Sequence, residues 1–250
     1  MVYRYNNTAI RKLANYTGAV GETATYSGIA LKCLYFVLLT FVSAAASFIL
    51  IAERMLTDSP LFLIILIGAP FAAFICSLIA SFRPSAVPVA GSLYAVLQGI
   101  TIGFVSFIYE LYSNVVFAAL ISTVGSLLIM MVLYYTGVIR VGSFFKKFML
   151  SALLGIIITQ LLLFLLSIFF PQVGFLFYGD TTLSLIISII MVVVASLMIL
   201  YNLKTIDEVV ENNLAKAYEW TAAFGMLITL IWMYLEFLRL FARIAARRNR

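Results

Sequence analysis

Seven apolar runs alternate with short polar connections along this chain, at residues 33–52, 61–82, 87–109, 115–139, 148–170, 181–201 and 220–246. Each is close to the ~20 residues that carry a helix across the hydrocarbon of a bilayer. Within that layer every backbone N–H and C=O needs an internal partner, so helices are the form these runs take. The connections are too short to hold a soluble domain. The pattern predicts one all-α integral membrane bundle with a polar arm over residues 1–30, a seven-helix domain over 31–246 and a basic tail over 247–250.

Details of the pattern add local expectations. Residues 1–30 are rich in Gly, Thr and Tyr and lack a cleavage site behind a short apolar core, so they do not read as a signal peptide. Pro60, Pro84, Pro88 and Pro171 fall near run ends, where a missing N–H costs little. Pro70 lies inside the second run and predicts a kink or an opened backbone. Gly99 and Gly103 form a Gly-x-x-x-Gly pair suited to close internal packing. In the connection 204–219, Lys204 is spaced to pair with Asp207 and Glu208. The sixth helix therefore extends into water to about Glu211, ends at Asn212-Asn213, and the seventh starts near Tyr218.

Composition agrees with a bilayer. The chain is 64% hydrophobic and 10% charged, against about a quarter charged in soluble domains. With no histidine, His-based zinc sites, haem attachment and His-dependent triads are excluded. Cys33 and Cys76 lie in apolar runs without metal-ligand spacing and read as small core residues. The net charge of +6 is scattered over loops and ends, which is no footprint for nucleic acid.

Arg4, Arg11, Lys12 and Lys32, then Arg83, then Arg140, Lys146 and Lys147 fall on one side. Arg54, Glu53, Asp58, Glu110 and Asp180 fall on the other. The positive-inside rule makes the N-terminus cytoplasmic. Seven full crossings then leave Arg243, Arg247, Arg248 and Arg250 outside, against the same rule, unless the last run fails to cross.

Polar side chains within the runs are few: Gln98, Thr101, Gln160, Asn202 and Glu236. The two glutamines read as interhelical hydrogen-bonding groups. An ionisable group set in a membrane helix marks a functional site by default, and Glu236 is the only acid well inside a run. Arg239, three residues on, offers a structural alternative as a local counter-charge. Burial disfavours a charged carboxylate. An ionised Glu236 binds a cation or holds a basic or amide group, and a protonated one releases both.

The runs Leu197-Met198-Ile199-Leu200-Tyr201-Asn202-Leu203-Lys204-Thr205-Ile206 and Met233-Tyr234-Leu235-Glu236-Phe237-Leu238-Arg239-Leu240-Phe241 resemble the closing motifs of the Bax inhibitor-1 family, also called the transmembrane Bax inhibitor motif family. Gly137-Val138-Ile139-Arg140-Val141, Tyr218-Glu219-Trp220-Thr221-Ala222-Ala223-Phe224-Gly225 and Tyr94-Ala95-Val96-Leu97-Gln98-Gly99 look like its bacterial branch. The resemblance covers about residues 31–241. It implies a central last helix wrapped by six others, a plasma-membrane location and a pH-sensitive calcium leak.

The resemblance also implies a latch of two proton-sharing carboxylates and a basic residue. By motif position these fall on Asn202, Glu236 and Arg83. Asn202 is neutral and Lys204 occupies a second acidic position, so the shared-proton pair lacks a member. Glu236 and Asn202 become the expected gate and pH sensor, Arg83, Lys204 and Arg239 the counter-charges, and Asp207 an accessory cation ligand. Calcium enters only as the transported ion, with Glu236 and Asn202 its candidate ligands, and no cofactor is expected. A non-conducting regulator that binds a membrane protease or another bundle is the competing reading. Partners are then the lipid bilayer and, in that case, a second membrane protein.

Overall fold

The computed structural model describes residues 22–53, 61–170, 172, 179 and 181–248. In chain order the helices are α1 (Tyr26–Ala52), α2 (Leu61–Phe82), a 3-10 turn (Pro84–Ala86), α3 (Val87–Ser113), α4 (Val116–Tyr135), α5 (Ser143–Phe169), α6 (Thr182–Glu211) and α7 (Ala217–Arg248). All seven α-helices are long and apolar enough to cross a membrane. Among the described residues the only bridge between extended segments joins Thr23 to Ala215.

Local chemistry sets the ends. α1 starts inside the expected polar arm, because the Thr25 side chain accepts from Gly28 N at 3.0 Å and caps it. α4 stops at Tyr135, short of the expected 139, where Gly137 takes φ 73° and turns the chain. α6 reaches Glu211 as expected, and Asn213 at φ 50° closes the turn. α7 then runs unbroken to Arg248, long and apolar enough for the last segment to cross fully. α2 also continues through Pro70, which removes only the donor for the carbonyl one turn back. Pro60 and Pro171 lie outside the described residues.

α7 is the axis of the bundle. α1, α3, α4 and α6 pack directly on it, whereas α2 lies against α3 and α5 against α6. Of the most apolar stretch of each helix, 67% is buried for α7 and 0% for α5. Of the side chains α7 turns inward, Ala223, Leu227, Met233 and Leu238 are at or below 2% exposure.

The Gly-x-x-x-Gly pair serves internal packing, as expected. A Cβ on Gly99 would lie 1.9 Å from Ser43 Oγ, and one on Gly103 would lie 1.9 Å from Ser47 Oγ and 2.3 Å from the Ala44 carbonyl. The missing side chains let Ser47 Oγ donate to the Ile100 carbonyl at 3.2 Å across the contact.

Two ends follow from the alternation. The starts of α1, α3, α5 and α7 share the near end, and the C-terminus lies at the far end. At the near end the chain before α1 lies over the α6–α7 turn. Ala24 N donates to Leu214 O at 2.8 Å and Lys216 N to Glu22 O at 3.0 Å.

Candidate functional site

The register of the α6–α7 hairpin determines what its polar groups meet. Asn202 Nδ2 donates to Thr229 Oγ1 at 2.6 Å. Further along, Ser196 Oγ approaches Met233 Sδ at 3.9 Å, and Arg243 Nη1 donates to Ser188 Oγ and the Ser184 carbonyl. A step back along α6 is thus matched by a step forward along α7. Asn202 lies ten residues before the turn residue Asn212, and Glu236 lies twenty after Lys216.

Asn202 and Glu236 are therefore not brought together, contrary to the gate pair expected from the motifs. Seven residues separate Glu236 from Thr229, about 10 Å of helix rise. The turn sits too close to Asn202 for the two to share a level.

Glu236 is 2% exposed, and its partners come from its own helix. Oε1 accepts from Arg239 Nη1 at 2.8 Å and from Trp232 Nε1 at 3.0 Å. The side chains at i−4 and i+3 converge on one carboxylate, as helical spacing dictates. Arg239 is thus the counter-charge, as its position suggested.

Other expected positions are used elsewhere. Arg83 is exposed at the cap of the 3-10 turn and meets no acid among the described residues. It lies at the near end, whereas Glu236 is 17 residues beyond Glu219, about 25 Å of rise, so Arg83 does not latch Glu236. Lys204 reaches Glu211 at 3.8 Å rather than Asp207 or Glu208. Those two are claimed by neighbouring helices: Tyr134 of α4 donates to Asp207 Oδ2, and Lys146 of α5 pairs with Glu208. Gln98 makes no hydrogen bond among the described residues, so its expected interhelical role is not seen. Gln160 stays half-buried on α5.

A second buried acid was hidden in the sequence. Glu219 is 0% exposed. Its carboxylate accepts from Thr25 N at 2.8 Å and Thr25 Oγ1 at 3.2 Å and pairs with Lys32. Lys32 also lies over the Trp220 ring, 5.2 Å from its centroid. A Cβ on Gly28 would fall 2.3 Å from Glu219 Oε1, so only glycine leaves room for this contact. In the sequence Glu219 stands only as the end of the connection 204–219. The signal was its place beside Trp220 at the start of a long apolar run.

Outside the membrane helices, Lys216 holds the Glu22 carboxyl below its usual 4.5, first through a hydrogen bond and then through charge. The same contact raises Lys216 above 10.5.

The polar groups of the α6–α7 seam form a line through an apolar bundle. It is made of the contacts Asn202–Thr229, Ser196–Met233 and Arg243 to Ser188 and Ser184, and Glu236 lies two helical turns from both Thr229 and Arg243 on α7. Calcium takes six to eight oxygens, and no three Asp, Glu, Cys or His side chains gather to hold a metal among the described residues. Oxygens for such an ion would come from backbone carbonyls, hydroxyls and water along the seam. A small void lies between α1, α2 and α3, and a cleft opens beside Glu110 and Asn114. Glu236 lines neither.

A family model described as Bax inhibitor 1 like matches residues 5–246. No curated protein matches the sequence.

Proposed function

Because the chain belongs to the Bax inhibitor 1 like family, we propose that this integral membrane protein is a cation leak channel, closed in this conformation. Calcium is the proposed permeant ion, the α6–α7 seam the path, and Glu236 with Arg239 the gate. One observation carries this: a buried carboxylate, about three-fifths of the way from Glu219 to the C-terminal end of α7, two helical turns from both Thr229 and Arg243, which meet α6. Such groups in membrane helices mark ion and proton pathways. Ionised, Glu236 holds Arg239 and the Trp232 indole along α7 and keeps that guanidinium beside the seam. Protonated, it loses the ion pair, and Arg239 is free to swing toward the far interface.

The near end faces the cytoplasm, on the grounds that Lys32, Arg83, Arg140, Lys146 and Lys147 cluster there. The test is calcium flux into liposomes holding the full chain, followed from roughly pH 5.5 to 8. Flux should rise with acid, and Glu236→Gln should leave it raised and nearly flat with pH. If that variant leaves both rate and profile as they were, the gate assignment is wrong.

A second reading has its own support. Asn202 offers Thr229 an amide rather than a proton-sharing acid, and Glu236 is satisfied within α7. Both suit a non-conducting bundle that docks on another membrane protein, such as a protease. Co-purification of a partner, with no flux above empty liposomes, would select it.

A further inference from the structure

Arg239 presents unfilled donors at membrane depth. A guanidinium carries five N–H donors, and among the described residues Arg239 gives one, to Glu236. Its side chain is 41% exposed while that of Glu236 is 3% exposed. Hydrocarbon supplies no acceptors, so the remaining donors need something other than protein or lipid tails. Long basic side chains meet this need by reaching toward the interface.

The interface is close. Arg243, one turn further along α7, already reaches the first turns of α6 at Ser184 and Ser188. Four residues are about 6 Å of rise, within the span of an arginine side chain. Arg247 follows at the same spacing, so Arg239, Arg243 and Arg247 line one helical face, with Arg248 beside them in the last turn. Arg247 and Arg248 meet no acid among the described residues. Glu110, an acid at this end, is already occupied in accepting from Val116 N at 3.1 Å.

We propose that this arginine row binds the phosphate headgroup of an anionic phospholipid in the leaflet at the C-terminal end of α7, with Arg239 as its deepest donor. Phosphate oxygens match the guanidinium fork. A lipid, rather than free phosphate, fits because the row lies on a membrane-spanning helix and Ile244, next to Arg243, is 48% exposed. Acyl chains cover such surfaces. The proposal stands apart from conduction and is read by binding alone.

The test is native mass spectrometry of the full chain in detergent with phosphatidylglycerol or phosphatidylcholine of identical acyl chains, each with and without inorganic phosphate. Phosphatidylglycerol should be retained in preference. Arg239→Gln should weaken it about fivefold, and Arg247→Gln with Arg248→Gln by a similar factor for each arginine, in line with ~1 kcal/mol per basic residue at an anionic surface. Lys147→Gln, at the opposite end, should leave retention unchanged. The double variant keeps the test sound if Arg239→Gln fails to fold, because neither of its residues touches Glu236. Equal retention of both lipids, displacement by inorganic phosphate, or full retention by the double variant would each overturn the proposal.

Discussion

Removing Lys32 should destabilise the protein more than neutralising Glu219, although both changes break the same ion pair. Glu219 is fully buried, while Lys32 keeps 15% of its side chain exposed. In Lys32→Met the carboxylate stays buried and charged, with only Thr25 N and Oγ1 to hold it. Breaking a buried pair from one side costs about 3–5 kcal/mol, and the surviving Thr25 bonds argue for the lower figure. In Glu219→Gln the amide oxygen still accepts from Thr25. The freed ammonium can lean toward water and remains over Trp220, a contact worth about 0.5–1 kcal/mol at an exposed site.

The expected costs are therefore ~3 kcal/mol for Lys32→Met and ~1–2 kcal/mol for Glu219→Gln. At about 2–4 °C per kcal/mol for a chain of this size, the melting temperature falls by ~6–12 °C in the first and a few degrees in the second. Thermal melts in detergent with a thiol-reactive dye suit the site, because Cys33 Sγ faces the Ala223 carbonyl one position from Lys32. A Cys76→Ser background leaves that reporter alone. The double variant should lose less than the two single costs combined. A Lys32→Met melt no lower than that of Lys147→Met would refute the reasoning, as would a larger loss in Glu219→Gln.

Gly99→Ala and Gly103→Ala should each cost about 1–3 kcal/mol through overpacking, whereas Gly125→Ala and Gly155→Ala, with nothing within 4 Å, should be neutral or slightly stabilising; equal melts for the four would contradict the α1–α3 packing. Glu22 is lowered below 4.5 in the folded chain, so its contribution is present above that value and lost as pH falls through the lowered one. Hydrogen exchange at the amides of Ala24 and Lys216 should quicken below pH 4.5, and Glu22→Gln should make it quicker at neutral pH and flat with acid. Asn202→Asp removes the donor to Thr229 unless the new group is protonated, and burial favours the neutral acid. That variant should melt below wild type at pH 8 by the equivalent of ~1–3 kcal/mol and approach it in acid; a gap independent of pH would count against the buried contact.

What could be read in advance follows from the range over which each signal acts. Seven runs of spanning length and their polar breaks report backbone satisfaction, a local requirement, so helices and ends emerged with small errors. The end of α4 was overrun because Gly137 follows an apolar stretch that continues through Val138 and Ile139, and hydropathy ignores φ. Arg239 as counter-charge was legible because it lies on the same helical face as Glu236. Tertiary pairings were another matter. Asp207 and Glu208 were assigned to Lys204 by spacing alone, yet α4 and α5 bring Tyr134 and Lys146 closer. Asn202 and Glu236 were joined by motif position, and the hairpin register separates them. The burial of Glu219 was not legible because it depends on Thr25, Gly28 and Lys32, nearly two hundred residues away.

The full crossing of α7 makes the charge at the far end the remaining conflict, and its resolution lies in how the arginines are held. Charge bias orients a bundle mainly through short loops and its first helices, and the near end carries Lys32, Arg83, Arg140, Lys146 and Lys147. A tail at the other end is tolerated if its cations find acceptors. Glu236 takes one donor of Arg239 and the first turns of α6 take Arg243, and the proposed phosphate headgroup would take the donors that Arg239 has left. The Arg243 contacts fix α7 against α6 at the far end, as Lys32, Glu219 and Thr25 fix it against α1 at the near end. A central helix clamped by charge at both ends can change its register with α6 only if one clamp yields. The near-end clamp is a buried ion pair, with Lys32 only 15% exposed, and should be the last to yield. Movement along the seam should therefore begin at the far end, and cross-links between α6 and α7 near Ser188 should block it while those near Asn202 leave it free.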